Sequence, residues 1–217
     1  MKKTMAIAGV LLGLMAGVAN AGLIIQPTEV EANTPTGWGY LNGIIDGEGL
    51  ESALATNDPV PAPFPIHANG FVGQWETVTG VTPTNVELVF DLGSIYTVGG
   101  LHVWTGNEFT NYRGVEDFKV SFSTTSGTTG FGSAQAFKLV DPQSSESYRG
   151  ESFFLTAGEL ARWVRFDVDS NFNGGNSVQL SEVRFFTADA APIPIPGTIA
   201  LLGLGLVGIR AARRKQA

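Results

Sequence analysis

Trp104, Asn107, Tyr112 and Arg113 fall within ten consecutive residues and bring an indole, a planar amide, a phenol and a guanidinium into one stretch. A sugar site needs such parts: an aromatic face for the C–H surface of the ring, and planar polar groups to fix its hydroxyls. The stretch is therefore a candidate ligand-binding loop. A second reading stays open, with Trp104 in the core and Arg113 pairing with Glu108 or Asp117 to brace the loop. The run Asn171-Phe172-Asn173-Gly174-Gly175-Asn176 is a second, equally unspecific candidate, and Trp163 is expected to cover an outer face or a neighbouring loop.

Catalysis has fewer parts to work with. His67 and His102 are the only histidines, and neither shows metal-ligand spacing. Gly-x-Ser-x-Gly is absent, and the adjacent Glu116 and Asp117 point to opposite faces of a strand. No enzyme is expected. Gly203 to Gly208 match the dinucleotide fingerprint letter for letter, but only nine residues follow and none is acidic. The second strand and acidic residue which that site requires are missing, so these glycines are small residues within an apolar segment.

Strands must position whatever site exists, because period-two alternation pervades the body. Val86, Leu88 and Phe90 face away from Glu87 and Asp91; Phe118, Val120 and Phe122 alternate with Lys119 and Ser121. Val164, Phe166 and Val168 repeat the device, as do Ser181, Val183 and Phe185. Shorter strands are expected at Leu101–Trp104, Phe137–Val140 and Ser152–Leu155. Gly99-Gly100, Gly127 to Gly130 and Asn173 to Asn176 read as turns. Four prolines between Asn57 and Asn69 forbid a central strand and predict a long surface loop. The expected fold is all-β, a single jelly-roll β-sandwich.

The run Val86 to Trp104 resembles the discoidin domain, also called the coagulation-factor type C domain. Asp46-Gly47, Arg113 to Phe118, and Ala161 to Phe166 leading into Leu180 to Phe185 fall in the matching order, so the likeness covers about 37–186. It implies a galactose-binding-like jelly roll that binds sugars, lipids or protein surfaces. In that family the Arg-Gly-Val stretch looks structural, which favours the bracing reading of Arg113. Bacterial sugar-binding relatives often hold a structural Ca2+ between the Asp-Gly loop and a Glu near the last strand, which implies Asp46 and Glu182 as metal ligands here. Calcium takes six to eight oxygens, several from backbone carbonyls. Without the metal, Asp46 is expected to form an Asx turn and Glu182 to be a solvated strand residue. Glu48 and Asp58 are candidate additional ligands.

The ends carry a different signal. Lys2 and Lys3, the apolar run Met5 to Val18 and Ala19-Asn20-Ala21 read as a signal peptide over 1–21. The sandwich is expected over 22–187, a Pro-rich spacer over 188–197, and a hydrophobic segment with a basic tail over 198–217. Pro194, Ile195, Pro196 and Gly197, the uncharged run Thr198–Ile209 and the basic end resemble a PEP-CTERM sorting tail. In that family the middle residue of the signature is Glu, where this chain has Ile195. The resemblance implies an exosortase-type partner, the secretion machinery, and transient membrane insertion of the tail during delivery to the cell surface or beyond. Twelve uncharged residues fall short of the roughly 17 to 25 that span a bilayer.

Two of the 13 basic residues belong to the leader and four to the tail, so the body sets seven against 20 acidic ones, a net charge of −13. Such a surface repels nucleic acid. With no cysteine, neither a disulfide nor a lipid anchor on sulfur is available. The expected function is non-catalytic glycan binding at the cell envelope or in the extracellular matrix. A structural matrix protein without a small ligand and a secreted hydrolase are the alternatives.

Overall fold

The alternating runs become eleven strands in the computed structural model, which describes residues 22–68, 72–106, 113–142 and 147–188. The leader, the spacer from residue 189 onward with Pro194, Ile195, Pro196 and Gly197, the tail, and Asn107 and Tyr112 lie outside the described residues. All described residues belong to one unit, Ala21–Ala191. Among them no helix is long and apolar enough to cross a membrane.

The strands are β1 (Ile24–Ile25), β2 (Glu29–Ala32), β3 (Thr36–Gly39), β4 (His67–Ala68), β5 (Trp75–Thr77), β6 (Glu87–Thr105), β7 (Asp117–Ser123), β8 (Gln135–Lys138), β9 (Ser147–Tyr148), β10 (Glu151–Val168) and β11 (Gln179–Thr187). Each pairing between them is antiparallel. The long strands β6 and β10 run beside each other and serve two layers. The first half of β6 pairs with β2 and with the second half of β10, which continues to β7 and β8. The second half of β6 pairs with the first half of β10 and with β11, which continues to β5 and β3. Register shifts in β10 between Phe154 and Glu159, and between Ala161 and Trp163, mark where the pair is irregular.

Gly99-Gly100 is therefore not a turn but lies inside β6. A Cβ on Gly100 would sit 2.3 Å from the Phe153 carbonyl oxygen and 2.4 Å from the Phe186 ring, so the position needs glycine for close approach. Between the layers Phe90 packs against Phe166 and Phe185 with ring centroids 6.4 and 5.5 Å apart, and Phe118 stacks on Phe166 at 4.4 Å. Edge-on and stacked rings fill a core lined by the inward residues of both layers.

The Pro-rich segment forms no central strand, as its prolines require, and it is a loop on the surface whose inner side, at Phe64, Pro65 and His67, is buried. Residues 41–68 cover the outer face of β6 and β11. The Ile24 amide donates to Asp58 O (2.8 Å) and Val60 N–H to Gly22 O (2.9 Å), which fixes the segment along β1. Phe64 stacks on His102 at 3.6 Å and meets Trp104 edge-on at 5.7 Å. A second, smaller core results, holding Ile24, Leu54, Phe64, Trp104 and Phe186.

Candidate functional site

That covering layer decides what the candidate binding residues can do. Trp104 is wholly buried, with its indole N–H donating to Pro65 O at 3.1 Å, so it offers no ring face to a ligand. The core reading of Trp104 describes its position, and the platform reading is corrected. Arg113 lies elsewhere: its Nη1 donates to both Glu76 oxygens at 2.9 Å. Asp117 is engaged by Lys138 and Ser170.

Glu76 is almost fully buried, and β11 holds it through the Gln179–Glu76 register. Across the next ladder Trp38 is the register partner of Glu76. Residues directly opposite in an antiparallel pair share a face, so the Trp38 ring stands beside the Arg113–Glu76 pair. Trp75 Nε1–H donates to Thr36 Oγ1 (2.9 Å) and ties β3 to its neighbour. Trp38, 37% exposed, together with Glu76, Val78, Thr79 and Arg113, lines a cleft of about 330 Å3. An aromatic wall beside a fixed guanidinium and carboxylate is the equipment for a sugar ring and its hydroxyls.

Trp38 was not legible as a site residue, being the single aromatic of a short edge strand. The available signal was its setting, Thr36-Gly37-Trp38-Gly39-Tyr40: two aromatics among glycines, with no apolar partner at period two to claim them for a core. The loop after Asn171 serves as a brace. Asn171 Nδ2 donates to Gly175 O (2.9 Å) and Ser177 O (2.6 Å), and Phe172 enters the main core. A second cleft of about 300 Å3 lies at Trp163, beside Glu29, Asp91 and Gly127. There the Arg162 guanidinium, chelated by Asp91, already lies over the indole, 4.6 Å from its centroid.

Asp46 and Glu182 are brought to one corner but play unlike parts. Asp46 is exposed and forms the Asx turn, with Oδ1 accepting the Glu48 amide at 2.8 Å. The Tyr40 hydroxyl lies against the Asp46 and Glu48 carboxylates, and these hydrogen bonds, Glu48 foremost, hold its phenol above the usual range. Glu182 is not a solvated strand residue: it is wholly buried, accepting Gly47 N–H at 3.0 Å and an Arg184 N–H. Burial pushes the Glu182 carboxyl above the ordinary range, and the Arg184 charge pulls it back. Gly47 has φ +80°, a conformation glycine adopts without strain, which turns its amide towards Glu182. Of the oxygens at this corner, Glu182 Oε1 and the carbonyls of Ile45 and Leu54 accept from Arg184, while Glu182 Oε2 accepts Gly47 N–H and the Asp46 carboxylate accepts the Glu48 amide and the Tyr40 hydroxyl. Among the described residues no group of three or more His, Cys, Asp or Glu is arranged to hold a metal. The residues present fit a guanidinium better than a calcium ion.

His102 is buried between Ser152 Oγ (2.7 Å from Nδ1) and Arg149 O (2.7 Å from Nε2). Burial lowers its pKa to about 3. With a backbone carbonyl where a triad would place a carboxylate, the ring is a poor general base.

No protein-family model matches the chain, and no curated protein matches it. Solved structures do. The carbohydrate-binding module CBM32-3 from a family 31 glycoside hydrolase of Clostridium perfringens aligns with TM-score 0.53 at 13% identity, over 76% of this chain and 94% of that one. A mutant of the lectin binding domain of lectinolysin, complexed with Lewis b, aligns at 0.52 and 17%, over 75% and 94%. A Streptococcus pneumoniae fucose binding module aligns at 0.51 and 16%, over 76% and 97%. The fold is the discoidin-type, galactose-binding-like jelly roll. At such identities the likeness extends to fold alone.

Proposed function

We propose that this chain is an exported, non-catalytic glycan-binding module whose ligand sits in the cleft at Trp38. The observation that carries the reading is the cross-strand pairing that sets a half-open indole beside the Arg113–Glu76 pair. Because Glu76 neutralises Arg113, the cleft favours a neutral sugar, and the acidic body disfavours an anionic one. The fold is shared with modules that bind Lewis b and fucose, which supports the class of ligand. Delivery belongs to the same reading: a leader over 1–21 sends the chain across the inner membrane. A PEP-CTERM-like tail at Pro194, Ile195, Pro196 and Gly197 hands it to an exosortase-type enzyme.

The test is a glycan array followed by calorimetry on the hit. Trp38→Ala is expected to weaken binding at least tenfold, about 1.4 kcal/mol, with the fold's melting unchanged. Trp163→Ala is expected to leave affinity as it was. Binding lost with Trp163→Ala but kept with Trp38→Ala would move the site to the other cleft.

Exposed Ile95, Val140, Phe154 and Leu160 favour a second reading, a matrix protein that packs against neighbours. Concentration-dependent self-association without any array hit would select it.

A further inference from the structure

Arg184 is an arginine with almost no access to water, 1% exposed, in the last strand of a protein whose surface carries an excess of acid. Its guanidinium reaches three separate segments. Nη1 donates to Ile45 O (2.8 Å) beside the Asp46-Gly47 turn, to Val183 O (3.1 Å) in β11, and to Glu182 Oε1; Nε donates to Leu54 O at 3.3 Å. Carbonyls and a carboxylate converging from a first loop and a last strand are the donor set that a hard cation would select. They are equally the set that a planar fork of five N–H donors satisfies. The guanidinium also packs closely against the Asp46-Gly47 turn, since a Cβ on Gly47 would stand only 3.1 Å from Nη2. A divalent ion at the same oxygens would be held against a guanidinium with little water to screen the repulsion.

We infer that Arg184 is the resident cation of this site, a side chain standing where the fold's relatives are expected to place Ca2+, so that the tie between the Asp-Gly loop and β11 is independent of metal. The inference does not rest on glycan binding. It makes the covering segment at Ile45 and Leu54 one that is clamped to β11 without a disulfide and without an ion.

The experiment is thermal melting of the mature protein in EDTA and in about 10 mM calcium. A site with the affinity common in extracellular modules would raise the midpoint by about 5–10 °C at that concentration. The expected shift for the native chain is within about 1 °C, and a rise of the larger size that disappears in Glu182→Gln overturns the inference. Arg184→Gln is measured alongside. It is expected to melt about 10 °C lower in EDTA and to recover several degrees in calcium, because the vacated oxygens are then available to the ion. A folded Arg184→Gln chain with coincident melts in the two buffers also overturns it. Should that variant not fold, the native comparison decides alone.

Discussion

Along β11, Val183 and Phe185 turn into the apolar core between the layers, while Glu182, Arg184 and Phe186 turn into the pocket beneath residues 41–68. Both faces of the strand are buried, but by different means. On the inner face the side chains need only shape, and any apolar residue of the right volume keeps water out. On the outer face each polar atom needs a named partner, because an unpaired buried charge costs several kcal/mol whatever its shape. The lesson is that this domain has two cores with opposite tolerances: one accepts conservative apolar exchange, and the other accepts almost no single change.

The sharpest way to break that contrast is to remove one residue from each face. Phe185→Ala is expected to lower the unfolding free energy by about 3–5 kcal/mol through the cavity it leaves. Glu182→Ala is expected to cost about as much, since it strands Arg184 in a dry pocket. A loss below about 1 kcal/mol in urea titration of Glu182→Ala would show that the outer face is a surface after all. Next in size comes Phe64→Ala, expected to cost about 3 kcal/mol by unstacking the covering segment from His102. Limited proteolysis is then expected to cut first within residues 41–68, leaving the inner core intact.

The smallest effect is that of pH. The His102 pKa of about 3 in the folded chain lies below the ordinary value of 6.5, so the fold favours the neutral ring. Its contribution is full above about pH 6.5 and is lost as pH falls towards 3, by up to about 1.4 kcal/mol per pH unit. His102→Gln lacks this titration. The gap in stability between the native chain and the variant is expected to narrow from pH 7 to pH 5, and a constant gap would mean that His102 is solvated.

The inner core was legible because period two repeats there without interruption: Phe90, Phe118, Phe166 and Phe185 all face inward as their alternation requires. The outer core was not. Alternation that assigns Val183 to the core assigns Glu182 to solvent, and nothing local reveals that a distant Pro-rich segment will lie over it. The same segment removed Trp104 from the candidate loop, since an indole reads alike at a surface and under a cover. Gly99-Gly100 misled for a related reason. Glycine marks a turn and a close contact with the same letters, and only the Phe186 ring distinguishes them. At the cleft, Arg113 was visible in the sequence, while Trp38 and Glu76 became its neighbours only through the ladders of β3, β5 and β11.

One pairing carries a consequence for how the chain is made. Ile24 lies opposite Phe186, and the Thr187 amide donates to Leu23 O at 2.9 Å, so β1 cannot join the sheet until the last described strand exists, although the Pro-rich segment already bonds to its other side. Contacts of such sequence separation form late and slowly. A chain threaded through a pore from its N-terminus cannot close this sheet while its end is still inside. On the proposed export route, closure of this one pairing waits until residue 187 has left the pore.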